Sequence, residues 1–407
     1  MKVLLSTIGS RGDVQPLVAL GLQLKALGQE VRLCVPPDFR EWIEGLGLPV
    51  TPIGPEVRNF AVASRPVMST PPSPEQRRQM MEGTVSTQFE TITAAAQGCD
   101  VIVGATALQV AAPSIAERLG IPCFFAAYCP AVLPSPHHAP PVLGVLGDKP
   151  VTLTDYTDLW KKDAERWNVQ WGDILNSHRT RLGLSPVTDV LRHILTDQPW
   201  LAADPILAPW PDPADQAVFQ PGAWVLPDER PLSPEVEAFL NAGEPPIYFG
   251  FGSTRAPQDL SQLMIQAARA LGRRIIVSRG WADLSLVDNA ADCLDIGESN
   301  LRALFKRVAA VVHHGGAGTT TLAALAGAPQ VVMPQHYDQH YWAQRVHDLG
   351  IGIAHAPGAP TSDSLTSALE HVLQPDVTAR ARSSATALRS DGALVAAQRL
   401  IAAAPQN

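Results

Sequence analysis

Short apolar runs alternate along the whole chain with longer stretches in which apolar residues recur at helical spacing. This alternation predicts βα units and parallel sheets, because consecutive parallel strands need a crossover connection. The predicted strands of the first half are 2–7, 30–35, 49–53, 100–105, 123–128 and 200–203. Those of the second half are 247–250, 274–277, 293–296, 308–313, 330–333 and 352–354. The strands of each half therefore predict an open sheet, and the predicted fold class is α/β with two Rossmann-like domains.

Proline-rich stretches divide the chain. One of them lacks apolar periodicity and predicts a linker at 208–216. The expected domains are therefore 1–207 and 217–407. The stretches 54–73 and 129–150 also lack periodicity, and loops of this length are usually functional or disordered. Because ligands of open parallel sheets bind at the carboxyl ends of the strands, we expect these two loops to wall an acceptor pocket in the first half.

The composition narrows the range of functions. Of the 407 residues, 46% are hydrophobic, which is sufficient for two cores. The formal charge is −8 and the sequence has no basic block, so a nucleic-acid partner has little electrostatic support. No run of about 18 apolar residues predicts a membrane span, and we expect a cytoplasmic protein without stable membrane insertion. The five cysteines lack ligand spacing, which argues against a metal site or a disulfide framework.

The segment HHGGAGTT, which contains His314, follows a predicted buried strand and opens an alanine-rich helix. Its small residues, Gly316 among them, let a ligand approach the backbone. The free N–H groups of Gly318, Thr319 and Thr320 suit a diphosphate. His314 can donate a ring N–H to a phosphate oxygen and neutralise charge as the diphosphate leaves. The alternative is a tight strand-to-helix turn whose histidines cap the core.

Other polar residues of the second half follow strands at the same end of the predicted sheet. Ser253 lies in a Gly-Ser turn and predicts a second phosphate contact, although an ordinary turn explains it equally well. Asp338 and Gln339 can bracket neighbouring sugar hydroxyls, because a carboxylate accepts hydrogen bonds and an amide both donates and accepts them. The alternative for Asp338 is helix capping.

Three further residues are candidates for binding the nucleotide. Arg279 and Trp281 close another predicted strand, and the indole ring can stack on a base. Core packing explains Trp281 equally well. Glu298 is a candidate for contacts with the base or the ribose.

In the first half, Asp13 follows the first strand within the segment SRGD. A partly desolvated carboxylate can take a proton from an attacking hydroxyl, and burial under a bound acceptor raises its pKa and strengthens it as a base. Ser10 can orient the acceptor or relay a hydrogen bond. The alternative is that Asp13 caps the helix that follows. His137 and His138, in the second proline-rich loop, can contact an acceptor, although exposed loop histidines are more often inert.

Taken together, HHGGAGTT, the Asp338-Gln339 pair and the opening GSRGD resemble nucleotide-sugar glycosyltransferases of the GT-B fold. The glycopeptide-antibiotic branch, of vancomycin and teicoplanin type, is resembled by the stretches NSHR (176–179), TDQPW (196–200), LPDER (226–230) and SRGWAD (278–283). The resemblance spans nearly the whole chain. It implies two parallel sheets that face each other across a cleft, and a final helix at about 391–404 that packs back on the first domain.

The resemblance also implies an inverting, metal-independent hexosyltransferase with a UDP- or TDP-sugar donor and no further cofactor. Its acceptor is a glycopeptide aglycone or another bulky hydrophobic molecule. By the resemblance, Asp13 is the base and Ser10 contacts the acceptor. The residues implied at the diphosphate are Ser253, His314, Gly318 and Thr319. Those implied at the sugar are Asp338 and Gln339. The opening GSRGDVQP is equally similar to sterol glucosyltransferases, so a sterol or lipid acceptor stays open. A nucleotide-sugar epimerase and a non-catalytic nucleotide-sugar binder are the alternatives from other classes.

Overall fold

The computed structural model describes nine stretches of the chain, which are residues 1–58, 73–106, 108–141, 155–211, 217–253, 259–281, 284, 290–356 and 359–403. The described residues form two six-stranded sheets, one in each half, and every strand pair in both is parallel. The predicted α/β fold class is thereby confirmed. Parts of the predicted loops and linker, at 59–72, 142–154 and 212–216, lie outside the described residues.

The first sheet consists of β1 Lys2–Ser6, β2 Glu30–Val35, β3 Val50–Pro52, β4 Val101–Ala105, β5 Cys123–Ala127 and β6 Trp200–Leu201. Its strand order is β3-β2-β1-β4-β5-β6, and Leu5 at its centre lies opposite both Leu33 and Val103. Its helices are α1 Arg11–Ala26, α2 Arg40–Gly45, α3 Pro74–Ala95, α4 Ala112–Leu119, α5 Tyr156–Arg181 and α6 Val190–Leu195. Apolar clusters on both faces of the sheet bury these strands, which explains why they are apolar throughout.

The second sheet consists of β7 Ile247–Gly250, β8 Ile275–Ser278, β9 Cys293–Ile296, β10 Ala310–His313, β11 Gln330–Val332 and β12 Gly352–Ala354. Its order is β12-β11-β10-β7-β8-β9, which repeats the topology of the first sheet. The helices are α7 Pro234–Asn241, α8 Leu260–Ala270, α9 Leu301–Leu304, α10 Ala317–Ala326, α11 Gln339–Asp348, α12 Ser362–Val372, α13 Pro375–Ala385 and α14 Gly392–Ala403. In both sheets the strand order reverses at one point, between β1 and β4 and between β7 and β10. Open α/β sheets bind their ligands at such points.

The last helix, α14, packs against α1 of the first half. Its buried residues Ala396 and Leu400 share an apolar cluster with Leu17. The chain also returns to the first sheet after the predicted linker, since the N–H of Leu201 donates to the carbonyl of Phe219 at 2.9 Å. Residues beyond 216 therefore still contact the first half, and the predicted domain bounds stay a prediction.

Three helices, α6, α7 and α13, were not predicted from the sequence. The two that begin at proline bury few residues, Val236 and Leu240 in α7 and Val377 and Ala381 in α13. One i, i+4 pair does not establish a period, which is why the pattern missed them. Ser73 caps α3, and its side chain accepts the N–H of Gln76. No helix in the described stretches is both long and apolar enough to span a bilayer.

Candidate active site

The turn between β1 and α1 brings Ser10 and Asp13 together at the point where the first sheet reverses its order. Ser10 is the N-cap of α1, and its backbone N–H and its Oγ donate to Oδ2 of Asp13 at 2.7 and 3.2 Å. Gly9 has φ of +148°, and a Cβ at this residue would lie 2.2 Å from the same oxygen. Only glycine therefore leaves room for the Asp13 carboxylate.

Asp13 is half-buried, and its environment favours the protonated form more than water does. Burial raises its pKa from 3.8 to about 6, and the hydrogen bonds from Ser10 offset part of the rise. The hydroxyl of Tyr128, beyond the end of β5, donates to the main-chain carbonyl of Asp13 at 3.0 Å. Asp13 thus accepts the N–H of Ser10 and lies at the point where the first sheet reverses its strand order. No local motif indicated the contact with Tyr128, because 115 residues separate the two.

The turn between β10 and α10 is organised by His313, which is fully buried. Its Nε2 lies 2.9 Å from Oε1 of Gln330, and its Nδ1 accepts the N–H of Gly315 at 3.1 Å. These contacts fix a neutral imidazole with its proton on Nε2. Gly315 has φ of +93°, and a Cβ there would lie 2.8 Å from Val332. The compact turn therefore requires both the histidine and the glycine.

His314 lies at the N-terminus of α10. A Cβ at Gly316, the N-cap, would lie 2.6 Å from Nε2 of His314, so glycine allows the ring to fold over the turn. Burial lowers the pKa of His314 to about 3, and its Nδ1 has no hydrogen-bond partner within the described part of the chain. The imidazole is therefore neutral at pH 7. In the unliganded protein it can therefore donate only an uncharged N–H, and its role toward a departing diphosphate stays a prediction.

The first turn of α10 presents the N–H groups of Ala317, Gly318 and Thr319, which have no acceptor within the helix. Thr320 differs from the sequence-based expectation. Its N–H donates to the carbonyl of Gly316 at 3.0 Å, and its hydroxyl donates to the same oxygen at 2.9 Å. Thr320 therefore closes the first turn and is not free to bind a phosphate.

The loops after β7 and β8 meet beside this turn. The N–H of Trp281 donates to the carbonyl of Gly252 at 2.8 Å, and a Cβ at Gly280 would lie 2.4 Å from that oxygen. A Cβ at Gly252 would in turn lie 3.4 Å from Cε1 of His314. Ser253, the next residue, is thus placed beside the His314 turn, while residues 254–258 lie outside the described stretches.

Trp281 and Glu298 lie at the junction of the two halves. The Trp281 ring stacks on Phe39 with 6.2 Å between centroids and 18° between planes. Glu298 is exposed and accepts a hydrogen bond from Arg11 at 2.8 Å, and the Arg11 guanidinium also lies 3.9 Å from the Trp42 ring centroid. Two of the three predicted nucleotide residues, Trp281 and Glu298, therefore contact side chains of the first half.

Asp338 and Gln339 lie at the start of α11. The indole N–H of Trp342 donates to Oδ2 of Asp338 at 3.2 Å. Burial raises the pKa of Asp338 to about 7, and the charge of Asp13 in the other half adds to the rise. Gln339 is buried, and its Oε1 accepts the N–H of Gln335 at 2.8 Å. Its amide NH₂ is therefore the group that it can offer to a ligand.

The remaining candidates are Arg279, His137 and His138. Arg279 is ion-paired with Asp295 at 3.2 Å. His137 is exposed, whereas His138 packs edge-on against Trp160, whose indole N–H donates to the His138 carbonyl at 2.8 Å. Within the described stretches, no group of three or more His, Cys, Asp or Glu side chains could hold a metal ion.

Comparisons with known proteins agree with the fold. Two family models match, the glycosyltransferase family 28 N-terminal domain at 3–135 and the erythromycin biosynthesis protein CIII-like C-terminal domain at 262–396. The vancomycin aglycone glucosyltransferase of Amycolatopsis orientalis is 49% identical over 405 residues, 98% of this chain and 97% of that protein. The dTDP-epi-vancosaminyltransferase of the same organism is 44% identical over 389 residues, 94% and 92% of the two chains. The glycosyltransferase VinC, crystallised in complex with dTDP, shares the fold with a TM-score of 0.67, at 20% identity and 99% coverage of both chains. The chain therefore belongs to the GT-B glycosyltransferases, in the vancomycin-type branch.

Proposed function

We propose that this chain transfers a hexose from a UDP- or TDP-sugar to a hydroxyl of a glycopeptide antibiotic aglycone, with inversion at the anomeric carbon. The names of the relatives support the acceptor class, since one is a vancomycin aglycone glucosyltransferase and matches along almost the whole chain. They favour a glycopeptide over the sterol or lipid that the GSRGDVQP opening left open. The dTDP named for two of the compared proteins supports a nucleoside diphosphate donor without choosing between the two bases.

One observation carries the proposal. The half-buried carboxylate of Asp13 and the diphosphate-type turn of His314 belong to opposite halves, and the ion pair of Arg11 with Glu298 joins those halves beside Asp13. The charge of Asp13 also contributes to the raised pKa of Asp338, so the two carboxyls lie close enough to interact. These observations support a base in one half that acts toward an anion-binding turn in the other, which is the arrangement that a group transfer across a cleft needs.

In the proposed reaction, the Asp13 carboxylate accepts the proton of the acceptor hydroxyl as that oxygen attacks C1 of the sugar. The bond between C1 and the diphosphate oxygen breaks on the opposite side, and the diphosphate leaves with the bonding electrons. Ser10 orients the acceptor. The N–H groups of Gly318 and Thr319 and the neutral imidazole of His314 donate to the departing diphosphate.

The donor is held by the second half. Ser253 supplies a further phosphate contact, and Asp338 accepts from sugar hydroxyls while Gln339 donates to one. The pKa of Asp338 is about 7 without ligand. Hydrogen bonds that the sugar donates to it favour its ionised form. Neither residue takes part in proton transfer from the acceptor in this proposal.

The test is to incubate the protein with vancomycin aglycone and either UDP-glucose or TDP-glucose. Mass spectrometry should detect the addition of one hexose, and NMR should show a β linkage formed from the α donor. Reactions without acceptor identify an epimerase, because only that enzyme would change the donor sugar. Binding of UDP without turnover on any acceptor would indicate a non-catalytic binder, and glucosylation of a sterol alone would indicate the lipid branch.

A further inference from the structure

The carboxylate of Asp338 is held by an indole ring and not by the start of its own helix. Asp338 is the N-cap residue of α11, yet its side chain makes no hydrogen bond to the N–H groups of the first turn. Its Oδ2 instead accepts the indole N–H of Trp342, one turn further along the helix, at 3.2 Å. Helix capping, the alternative that the sequence allowed, is therefore not the role of this carboxylate.

The packing of Trp342 gives this hydrogen bond a fixed direction. The residue is 1% exposed and belongs to the same apolar cluster as Val332 of β11 and Ile351, which precedes β12. Its main-chain N–H also donates to the carbonyl of Asp338, at 3.2 Å. A tryptophan side chain has two rotatable bonds, and close packing restricts both of them. The position of the indole N–H is therefore set by the core around the ring.

The hydrogen bonds of this turn leave one acceptor and one donor for a ligand. Oε1 of Gln339 accepts the N–H groups of Gln335 and His336, at 2.8 and 3.3 Å, so its NH₂ group is the part that is left. Within the described stretches, neither Oδ1 of Asp338 nor Nε2 of Gln339 bonds to another residue, and neither atom is closed off from solvent. A carboxylate oxygen and an amide NH₂ group complement two neighbouring hydroxyls, of which one donates and the other accepts.

A strained residue immediately before the pair shows that the turn is held in place. Tyr337 has φ of +56°, in the left-handed region that residues other than glycine rarely adopt. Strain of this kind persists only where the surrounding contacts hold the backbone. Here the bonds of Gln339 hold the turn from one side, and the indole of Trp342 holds the carboxylate that follows Tyr337. Both polar groups therefore have a defined position before any ligand binds.

We propose that Trp342 is a positioning residue for the donor sugar, which acts by holding Oδ2 of Asp338 so that Oδ1 is left for one hydroxyl of the hexose. Gln339 donates to the neighbouring hydroxyl. Because both protein groups are fixed, an epimer at either carbon moves one hydroxyl away from its partner, and Trp342 thereby helps to select the hexose. Trp342 itself is too deeply buried to touch the sugar. This inference rests on the proposed function, which assigns the sugar to Asp338 and Gln339.

The substitution Trp342→Phe tests the proposal, because it removes the N–H and keeps an aromatic ring. With the nucleotide that the parent uses, calorimetry should show a Kd for UDP-glucose or TDP-glucose that rises about 3- to 10-fold, as expected for a lost hydrogen bond. The Kd for UDP or TDP alone should not change, because these ligands lack the hexose. The preference of the parent for the glucose donor over the galactose donor, measured as kcat/KM, should fall by a similar factor. Trp200→Phe is the control, since Trp200 is equally buried in the first sheet. It should lower Tm without changing either Kd or the preference.

Three results would overturn the proposal. They are an unchanged Kd for the glucose donor in Trp342→Phe, an equal weakening of the free nucleotide, which would mean that Trp342 only maintains the fold, and equal use of both hexoses by the parent. If Trp342→Phe does not fold, benzothienylalanine in place of Trp342 keeps the ring shape and replaces the N–H by sulfur, and the same results decide. A parent protein without turnover on any acceptor would refute the proposed function. The two Kd values would still test Trp342 in that case, because calorimetry needs no acceptor.

Discussion

The guanidinium of Arg11 lies 2.8 Å from the carboxylate of Glu298, and this ion pair joins the two halves of the molecule. Arg11 also stacks on Trp42, which packs edge-on against Phe39, and Phe39 stacks on Trp281 of the second half. These contacts form a continuous junction only two residues from Asp13. We expect this junction to influence the distance between the proposed base and the turn that we propose to bind the diphosphate.

We predict that Glu298→Gln lowers kcat/KM by a factor of about 1.4 to 5 at low salt, because an exposed ion pair contributes about 0.2–1 kcal/mol. The loss should disappear at high salt, where the pair is screened in the parent protein. Glu237→Gln is the matched control, since Glu237 pairs with Arg307 at 2.6 Å inside the second half. If calorimetry instead finds weaker UDP or TDP binding in Glu298→Gln, the residue contacts the nucleotide.

Replacement of Asp13 should separate catalysis from binding. Asp13→Asn should lower kcat by about 10²–10⁴, the usual contribution of a general base, while the Kd for the nucleotide measured by calorimetry stays the same. In the parent enzyme, kcat/KM should fall as pH drops below about 6, because the base must be ionised. The control Asp376→Asn removes an exposed carboxylate that pairs with Arg380. It should change neither kcat nor the Kd for the nucleotide. A pH-independent rate between 5 and 8 would argue against Asp13 as the base.

The same carboxyl should make stability depend on pH. The folded pKa of about 6 exceeds the ordinary value of 3.8, so the folded state binds the proton more tightly and loses stability as pH rises from about 4 to about 6. This rise in pKa corresponds to up to about 3 kcal/mol. Asp13→Asn should therefore raise the free energy of unfolding at pH 8, with a gain that shrinks toward pH 4. Urea unfolding at pH 8 and at pH 4 measures this change in the free energy of unfolding. An equal gain at the two pH values would contradict the raised pKa.

The neutral His314 predicts how the donor site responds to pH. Because its pKa is about 3, the factor by which His314→Ala changes the Kd for a UDP-sugar should be the same at pH 6 and pH 8. A change in Kd with pH that both proteins share would come from Asp338, whose pKa is about 7. His314→Ala should weaken binding about 5- to 30-fold by removing a buried N–H donor, and His314→Gln should restore part of it. His371→Ala, on an exposed face of α12, serves as the control. Tighter binding at pH 6 that disappears in His314→Ala would mean that the ring is charged when the donor binds.

Gly9 offers a test of position without a change in chemistry. A Cβ at Gly9 would lie 2.2 Å from Oδ2 of Asp13, so Gly9→Ala must displace the carboxylate. The expected result is a fall in kcat of about 10², within the range of a lost base, with nucleotide affinity retained. Gly98→Ala is the control, because Gly98 also has positive φ but has nothing within 4 Å of the added atom. Each variant should lose about 1 kcal/mol or more of stability from strain, and only the first should lose activity.

The local pattern was a good guide to the sheets. All twelve strands of the described residues lie within two residues of their predicted positions, because buried parallel strands are short apolar runs bounded by turns. The HHGGAGTT turn was also readable, since strand, glycines and helix start are adjacent in the sequence. The helices α7 and α13 were missed because each buries a single i, i+4 pair. The helix α6 was missed because it has only six residues, fewer than a typical helix.

What the sequence by itself determined is the repeated βα architecture, the glycosyltransferase resemblance and the residue types at each crevice, all of which depend on neighbours along the chain. The tertiary structure alone decided that Glu298 pairs with Arg11, that the pKa of His314 is about 3 and that the pKa of Asp13 is about 6. All three depend on burial or on partners far away in sequence. Desolvation and ion pairing are set by which segments pack together, and a linear pattern does not contain that distance information.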